Sequence, residues 1–360
     1  MLRYAQSRIR TVTARFSGDT PLALRERLAF VLAAIVSSAI ISPALARALN
    51  TCTNPIAACP CAIQSAGDYT VSGPGLLAAP PGDCIHVSVP GVTLNLGSAI
   101  ISSSPSATAD IGIHVLANAA GAVVKGTLNA PATVMGFTNG IRIDAQSATI
   151  ENLIAQNNSV GIRITGGSAY GSALTVHNSS VTGILISGPA PGPYLTGVSV
   201  DSTLGFAGIE LNGVHGAFLT NLTVTTSQTY GVWLLASSRN VIANFSVSRN
   251  TYAGIYLGCF RTGGVLGKAC TIVPPLLPSN GNILTSVNDP STANGPSQPD
   301  QAYGVVIAAG NIGNRIVGIA GSGNGNSTFG ADALDGNLNC GSNVWSGNQF
   351  AIVSPSTCIH

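Results

Sequence analysis

A four-residue pattern, Gly-aliphatic-x-aliphatic, recurs along most of this chain. It is found as GIHV (112–115), GIRI (140–143), GIRI (161–164), GILI (183–186), GIEL (208–211), GVWL (231–234), GIYL (254–257) and GVVI (304–307). The starts of these motifs lie 21 to 28 residues apart, except for 50 residues between the last two. Self-similarity at such a period indicates a stack of similar units, so it constrains the fold more than any local feature does.

The segments between the motifs alternate aliphatic and polar residues, as in ALTVHNSS and NVIANFSVS, and are separated by Gly, Ser and Asn. This alternation indicates β-strands, and each repeat is predicted to be about three short strands joined by tight turns. A single repeat cannot bury its aliphatic face, whereas copies stacked about 4.8 Å apart place Ile141 and Ile143 on their equivalents in a continuous core. The chain is therefore predicted to be all-β, a right-handed parallel β-helix (solenoid).

Polar residues are expected to form the turns of this solenoid. Asn or Ser stands four residues before the motif glycine at Asn157, Ser179, Ser227 and Asn250. Asn tolerates the left-handed backbone conformation, and Gly adopts it without steric cost. We therefore expect left-handed turn residues at these positions.

The amino-terminal segment has the parts of a secretory signal. Arg25 and Arg27 precede the apolar run 28–41, and ALARA at 44–48 offers small residues for cleavage. We expect residues 1–48 to be a signal peptide with a long n-region; retention as an anchor is the alternative, although the run is shorter than the roughly 20 residues of a membrane span. Beyond it we expect no membrane span, and a secreted, periplasmic or cell-surface protein.

Charge and cysteine usage agree with export. Seven of the 15 Lys and Arg residues precede Leu49, with only two of the 13 acids, so the remainder is net negative and offers no basic patch for a nucleic acid. All eight cysteines follow the predicted signal, which indicates disulfides. We expect the local pairs Cys259–Cys270 and Cys340–Cys358, and leave open the order in which the other four pair: Cys52, Cys59, Cys61 and Cys84. A zinc site is the alternative for these cysteines, but CPC at 59–61 lacks the usual two-residue gap.

Three parts follow the signal in this interpretation. Residues 49–84 are predicted to be a Cys-rich amino-terminal cap, and residues 85–358 the β-helix. The long interval after GIYL is interpreted as one insertion at about 258–303, which begins with CFRTGGVLGKAC and continues with a Pro-rich stretch. The molecule is expected to be a monomer.

The GI-x-I repeats with Asn-rich turns, together with the closing NCGSNVWSGNQF (339–350) and Cys358, resemble the pectate-lyase-like superfamily of right-handed β-helix proteins. The resemblance covers residues 85–358. It implies the fold and leaves the chemistry open, since the superfamily includes lyases, hydrolases, epimerases, adhesins and proteins without known activity. Its lyases bind calcium through clustered acids. No such cluster is evident in this sequence, so no cofactor and no metal site are predicted, and calcium stays an alternative without support from an acidic cluster.

Stacking aligns the outward residue of each motif into a column: His114, Arg142, Arg163, Leu185, Glu210, Trp233, Tyr256 and Val306. Two positions further on, a second column includes Asp144, Thr165, Ser187 and Asn212. Aromatic rings and planar polar groups suit sugars, and arginines suit uronate carboxylates. The predicted partner is a polysaccharide or cell-surface glycan, bound by Arg142, Asp144, Arg163, Glu210, Asn212, Trp233 and Tyr256. The alternative is a plain structural surface in which Trp233 and Tyr256 pack beneath the insertion.

Catalysis is the less favoured hypothesis. Asp144 and Glu210 lie three repeats apart, about 14 Å at sheet spacing, beyond the roughly 5–9.5 Å between the two carboxylates of a glycosidase. Glu210 and His215 are the candidate catalytic pair. The functions left open are a carbohydrate-binding protein, a polysaccharide lyase, hydrolase or epimerase, a non-catalytic adhesin or scaffold, and an accessory protein of metalloenzymes.

Overall fold

The computed structural model describes residues 49–73, 76–79, 83–103, 110–188, 191–258, 278–286, 292–293, 301–324, 330–337 and 340–359. The predicted signal peptide and the pair Cys259–Cys270 lie outside these residues. Every regular element in the described residues is a β-strand, and the strands wind into a right-handed parallel β-helix, as the repeat predicted. None of the described residues forms a helix with the length and hydrophobicity of a membrane span.

The motif strands form one wall of the solenoid, which we call the first sheet. Its neighbouring strands are parallel and follow one another in chain order. Within the described residues this sheet contains 13 strands: Asn50–Thr51, Cys61–Ile63, Ile85–Val87, Ile111–Val115, Asn139–Ile143, Val160–Ile164, Thr182–Ser187, Ala207–Asn212, Tyr230–Leu235, Ala253–Leu257, Tyr303–Ile307, Ala331–Asp335 and Val353–Ser354.

The second sheet closes the solenoid and is also parallel. Within the described residues it contains 17 strands: Gly67–Thr70, Leu76–Ala79, Val92–Gly97, Ile100–Ser103, Val123–Gly126, Ala132–Met135, Thr149–Gln156, Tyr170–His177, Tyr194–Asp201, Phe218–Thr225, Val241–Ser248, Ile283–Thr285, Thr292–Ala293, Arg315–Val317, Ala320–Ser322, Val344–Ser346 and Gln349–Phe350.

The eight-residue strands of the second sheet are each two short strands joined at one left-handed residue. The fourth residue of each has positive φ: Asn152, Ala173, Gly197, Asn221 and Asn244. Asn and Gly adopt this conformation most readily. The strand Thr149–Gln156 shows the consequence, because its first half pairs with Val123–Gly126 and its second half with Ala132–Met135. Each turn of the solenoid therefore has three short strands, as predicted.

The core is a stack of aliphatic side chains from both sheets. Ile143 and Ile164 are register partners and are fully buried, as are Ile141 and Ile162, which confirms the predicted inward positions. Burial of each such side chain stabilises the fold by roughly 1.5–3 kcal/mol. The core is therefore what holds successive turns in register.

The motif glycine recurs because there is no room for a side chain. Gly161 and Gly183 do not have positive φ. A Cβ on Gly161 would lie 2.7 Å from the Gly183 carbonyl oxygen and would collide with a methyl group of Val176. The glycine thus marks the corner at which the second sheet packs against the first.

Of the predicted left-handed turn residues, only Asn157 has positive φ. The left-handed residues of the other turns are Asn178, Thr226 and Arg249, each one position earlier than expected. Ser179, Ser227 and Asn250 are instead buried. The prediction was wrong at these three positions because the side chains serve the interior: Ser227 N–H, for example, donates to Asn250 Oδ1 at 3.0 Å.

Part of the predicted insertion belongs to the solenoid. Ile283–Thr285 pairs with Val241–Ser248 and Thr292–Ala293 pairs further along the same strand. Asn282 is fully buried in a ladder of amides, in which Asn240 Nδ2 donates to Asn282 Oδ1 and Asn282 Nδ2 donates to Asn314 Oδ1, both at 3.0 Å. Since buried amides without partners are costly, residues 278–286 and 292–293 are part of the solenoid wall, as is Tyr303 at the start of the strand Tyr303–Ile307. Residues 259–277, 287–291 and 294–300 of the predicted insertion lie outside the described residues.

The amino-terminal region is Cys-rich, and its strands extend both sheets. Cys61–Ile63 pairs with Ile85–Val87 in the first sheet, and Gly67–Thr70 pairs with Val92–Gly97 in the second. The described residues contain three disulfides: Cys52–Cys61, Cys59–Cys84 and Cys340–Cys358. The last confirms the predicted carboxy-terminal pair, and the first two supply the order that the sequence left open.

Candidate functional site

The outward column of the first sheet has the register expected from the repeat. His86 pairs with His114, and the sequence of partners then runs through Arg142, Arg163, Leu185, Glu210, Trp233, Tyr256 and Val306. Side chains that are far apart in the sequence are therefore neighbours at strand spacing. The two ends of this column nevertheless differ in chemistry and exposure.

The amino-terminal end is charged, and we call it the polar segment: His86, His114, Arg142 and Arg163 of the column, with Asp83, Asp144 and Thr165 beside it. Asp144 is its hub. His114 Nε2 lies 2.8 Å from Asp144 Oδ2, and Arg142 Nε lies 3.0 and 2.9 Å from the two carboxylate oxygens. The Thr165 hydroxyl also donates to Asp144. Burial opposes ionisation of Asp144, but the contacts with Arg142, Thr165 and His114 outweigh it and hold its pKa below the ordinary value.

Asp83 and His86 complete the polar segment on the other side of His114. His86 Nε2 lies 2.8 Å and His114 Nδ1 lies 3.6 Å from Asp83 Oδ2, while Asp83 Oδ1 accepts the Ile111 backbone N–H at 2.9 Å. Burial alone would raise the pKa of Asp83, but the two imidazoles and this N–H hold it well below its usual range. The negative charge of Asp83 in turn adds to burial in raising the pKa of Asp110.

His114 lies between two carboxylates and is only 8% exposed. Burial lowers its pKa, yet the contacts with Asp83 and Asp144 raise it above the ordinary value overall, against the opposing charge of Arg142. The 3.6 Å from Nδ1 to Asp83 is too long for a hydrogen bond, and Nδ1 is a buried atom without a hydrogen-bond partner. His114 thus has a close partner at Nε2, whereas its Nδ1 has no hydrogen-bond partner.

Arg163 stacks directly on Arg142 in the next strand. Asp144 contacts Arg142, whereas the buried Nε of Arg163 has no hydrogen-bond partner. Like charges directly opposite one another in a sheet destabilise it. An anion placed against the accessible part of the Arg163 guanidinium would relieve this repulsion.

Glu210 is the last charged residue of the column before Trp233, Tyr256 and Val306. Its side chain is largely buried, and Asn212 Nδ2 donates to Glu210 Oε1 at 3.2 Å. Burial raises the pKa of Glu210, although contacts with Asn212 and Thr182 oppose that shift. His215 follows the turn at Gly213 and forms an isolated backbone β-bridge with Ser238. Among the hydrogen bonds and ion pairs of the described residues, none joins it to Glu210. A catalytic Glu210–His215 pair stays a prediction.

The carboxy-terminal end of the column is apolar, and we call it the covered segment: Trp233, Tyr256 and Val306 with Tyr230 and Tyr303. Trp233 and Tyr256 point outward as predicted, but they are only 4% and 5% exposed. The rings of Tyr230 and Tyr256 stack at 4.8 Å, and Trp233 Nε1 donates to the Gly258 carbonyl at 3.0 Å. These rings form a second hydrophobic cluster outside the solenoid core, so their faces are not available to a sugar in this structure.

An exposed aromatic ladder lies on the second sheet, where the sequence interpretation placed no site. Tyr170, Tyr194 and Phe218 each begin an eight-residue strand and are register partners. The rings stack nearly parallel, with centroids 5.5 and 5.2 Å apart, and each is 38–41% exposed. Their regular spacing of 24 residues in the sequence was the signal that could have revealed them.

Asp83 and His86 were likewise missed by the sequence interpretation. Ile85-His86-Val87 has the same aliphatic-x-aliphatic form as Ile113-His114-Val115, but Cys84 stands where the other motifs have glycine. The Gly-aliphatic-x-aliphatic pattern therefore does not include this turn, and its first match is the next one, at 112–115. The relaxed pattern, read together with the aspartate just before it, would have indicated two stacked histidines beside a carboxylate.

No protein-family model matches the sequence, and no curated protein matches it either. Among solved structures, the enzymatically active domain of tailspike protein 2 from bacteriophage CBA120 is similar, with a TM-score of 0.51 and 12% identity over 79% of this chain and 42% of that one. The Dettilon tailspike protein is similar with a TM-score of 0.51 and 13% identity, over 79% and 60% of the two chains. This chain thus spans less than two thirds of either tailspike. At such low identity the matches show the fold alone, a right-handed parallel β-helix.

Proposed function

We propose that this chain is an exported β-helix protein that binds an acidic polysaccharide along the outer face of its first sheet, with uronate carboxylates held against Arg163 and Arg142. The observation that carries the proposal is the in-register arginine pair in which Arg163 Nε has no partner. A carboxylate pairs with a guanidinium through charge-assisted hydrogen bonds. Three disulfides in the described residues fit an oxidising compartment outside the cytoplasm.

The neighbouring side chains support a ligand of this kind. Beyond Arg163 the accessible groups of the two columns are hydroxyls and an amide, from Thr165, Ser187 and the exposed Asn212. Such groups hydrogen-bond to sugar hydroxyls, and their spacing follows the strands. An extended polymer along the solenoid axis could meet several of them at once, whereas a compact ligand would meet few.

The proposal differs from the sequence interpretation in where the sugar lies. Trp233 and Tyr256 are buried, so the ligand is expected to contact the polar segment and to end near Asn212. Arg142, Asp144, Arg163 and Asn212 stay in the proposed binding surface. Glu210 contributes only by orienting Asn212, through their hydrogen bond.

Calorimetric titration with polygalacturonate and with alginate tests the proposal, with a neutral glucan as the comparison polymer. Arg163→Ala should weaken binding to the acidic polymers about tenfold, because a hydrogen bond to a charged group contributes roughly 1.5–3 kcal/mol. Arg315→Ala is the matched control, since Arg315 is an exposed arginine on the second sheet, and it should leave affinity unchanged.

Two outcomes would overturn the proposal. Binding that is insensitive to Arg163→Ala but lost in Tyr194→Ala would place the glycan on the aromatic ladder of the second sheet. Equal affinity for acidic and neutral polymers would remove the role of the arginines. Ultraviolet absorbance of the same mixtures would detect unsaturated products and so distinguish a lyase from a binding protein.

A further inference from the structure

The environment of His114 fixes which ring nitrogen carries a proton. Asp144 is ionised, because Arg142 and Thr165 contact its carboxylate, and an ionised carboxylate can only accept hydrogen bonds. His114 Nε2, at 2.8 Å from Asp144 Oδ2, is therefore the N–H donor. In the neutral ring this leaves an unprotonated Nδ1 with its lone pair available.

The lone pair of Nδ1 points toward a second carboxylate. Nδ1 is buried, has no hydrogen-bond partner and lies 3.6 Å from Asp83 Oδ2. Two acceptors facing one another in a buried place repel, and a buried acceptor without a donor is costly. A positive charge between them would remove both penalties. A proton can supply that charge, and so can a metal ion.

His86 makes the metal ion the better match. Ligand atoms of Asp83, His86 and His114 all lie within 4.8 Å of one another, and the two rings lie on adjacent strands with centroids 5.3 Å apart and planes tilted by 58°. Ligands of one tetrahedral ion lie about 3.4 Å apart at the usual bond lengths, so a small adjustment of the side chains would suffice.

We propose that Asp83, His86 and His114 bind one first-row divalent transition-metal ion, with Asp144 as the positioning residue that holds the His114 ring. Two imidazole nitrogens and one carboxylate oxygen suit ions such as Zn²⁺, whereas Ca²⁺ takes six to eight oxygen ligands. A ligating histidine usually donates its other N–H to a carboxylate, as His114 does to Asp144.

The surroundings hold the three ligands in place while leaving a side open. Asp83 Oδ1 accepts the Ile111 N–H at 2.9 Å, which turns Oδ2 toward both rings. The next residue, Cys84, is fully buried and is linked to Cys59. Asp83 and His86 are partly exposed, so a fourth ligand from solvent can reach the ion, as in zinc sites with three protein ligands.

The protons balance in this step. A neutral His86 ring that coordinates the ion through Nε2 carries its single proton on Nδ1, so that proton moves from one ring nitrogen to the other. Any second proton on His86, and any proton on His114 Nδ1, passes to solvent, while the Nε2 proton of His114 stays on its hydrogen bond to Asp144. Apart from the bonds to the metal, only N–H bonds form or break, so no oxidant or reductant is required.

Equilibrium dialysis of the chelator-treated full chain, free of any polyhistidine tag, against Zn²⁺ tests the proposal. We expect one Zn²⁺ per chain, a rise in melting temperature on Zn²⁺ addition, and with Co²⁺ a visible absorption spectrum of low coordination number. His86→Ala, whose side chain is partly exposed, should abolish all three signals, and Asp144→Asn should weaken Zn²⁺ binding about 10- to 100-fold.

His177→Ala is the matched control. His177 Nδ1 lies 2.6 Å from Asp201 Oδ1 in the second sheet, so it is a histidine–carboxylate pair outside the three-ligand cluster. Its loss should change neither the stoichiometry nor the affinity. Absence of retained Zn²⁺ in the unsubstituted chain would overturn the proposal, as would equal retention by His86→Ala with an unchanged circular dichroism spectrum. Arg163 is not among the ligands, so this result is independent of the glycan experiment.

Discussion

The polar segment and the covered segment are two stretches of one column, built on the same strands with the same register. At Arg142 and Arg163 the outward side chains are charged and partly exposed, whereas at Trp233 and Tyr256 they are aromatic and buried. The backbone is equivalent in both. The difference therefore lies in the side chains and in what packs on them, and it shows that an outward position in a solenoid is not always exposed to solvent.

The neighbouring column explains how the covered segment becomes buried. The residues just before the motif glycine are Tyr230 and Tyr303 there. The Tyr230 ring packs against Trp233 and Tyr256, and Tyr303 belongs to the same hydrophobic cluster. In the polar segment the equivalent position holds Asn139 and Val160, which are too small to cover a neighbour. A ligand can reach Arg163 for that reason, while the covered segment contributes to stability.

The largest effect is expected from removing the central ring of the covered segment. Trp233→Ala should lower the free energy of unfolding by about 3–5 kcal/mol, because it leaves a cavity in a packed cluster and removes the hydrogen bond to Gly258. Urea unfolding followed by circular dichroism measures this. Leu204→Ala is the control, since Leu204 is 65% exposed and its loss should change stability by less than about 0.5 kcal/mol. Equal effects would show that Trp233 is not covered.

A smaller effect is expected from the hub of the polar segment. Asp144→Asn should lower the free energy of unfolding by about 1–3 kcal/mol in chelator-containing buffer, because Arg142 and His114 lose a charged acceptor. Asp201→Asn is the control, since Asp201 and His177 form a more exposed pair that should contribute at most about 1 kcal/mol. A larger loss of unfolding free energy in Asp201→Asn than in Asp144→Asn would contradict this prediction.

Glu210 lies at the boundary between the two segments and should respond to pH. Burial raises its pKa above the value of 4.5 expected in the unfolded chain, so the folded state binds the proton more tightly than the unfolded state does. The stabilisation is full below 4.5 and is lost as pH rises through the raised folded pKa. Relative to the unsubstituted chain, Glu210→Gln should therefore gain stability as pH rises through that window. Parallel pH profiles of the two proteins would contradict this.

The smallest effect is expected from extending the charged column. Leu185 is the register partner of both Arg163 and Glu210 and is partly exposed. Leu185→Lys should tighten binding of polygalacturonate about threefold, which corresponds to a surface ion pair of roughly 0.7 kcal/mol. Leu185→Gln controls for loss of the leucine and should leave affinity unchanged. Weaker binding in the lysine variant would place the polymer elsewhere.

The spacing of motifs was sufficient to predict the fold and the register of the outward column. Ile143 and Ile164 face the core because strand alternation leaves them no other side once the turns are stacked. The same alternation predicts that Arg142 and Arg163 are neighbours on the outer face, as they are. Neither result needed knowledge of how any particular side chain packs.

Burial of the outward residues could not be predicted in that way. Whether Trp233 is covered depends on Tyr230 and Tyr256 as three-dimensional neighbours, and strand periodicity does not distinguish a covering ring from an exposed one. Asp83 and His86 were missed because their turn has Cys84 in place of the glycine of the repeated motif. Asn250 was assigned to a left-handed turn because asparagine tolerates that conformation, whereas it lies in the solenoid interior, where its Nδ2 donates to Gln301 Oε1 at 3.0 Å.

The most direct test of the central claim is a crystal structure of the protein soaked with a tetragalacturonate. We predict a sugar carboxylate within hydrogen-bonding distance of the Arg163 guanidinium, with Trp233 and Tyr256 still buried in the cluster that contains Tyr230 and Tyr303. A sugar ring stacked on Trp233, or an Arg163 side chain that is fully paired with protein atoms, would contradict it.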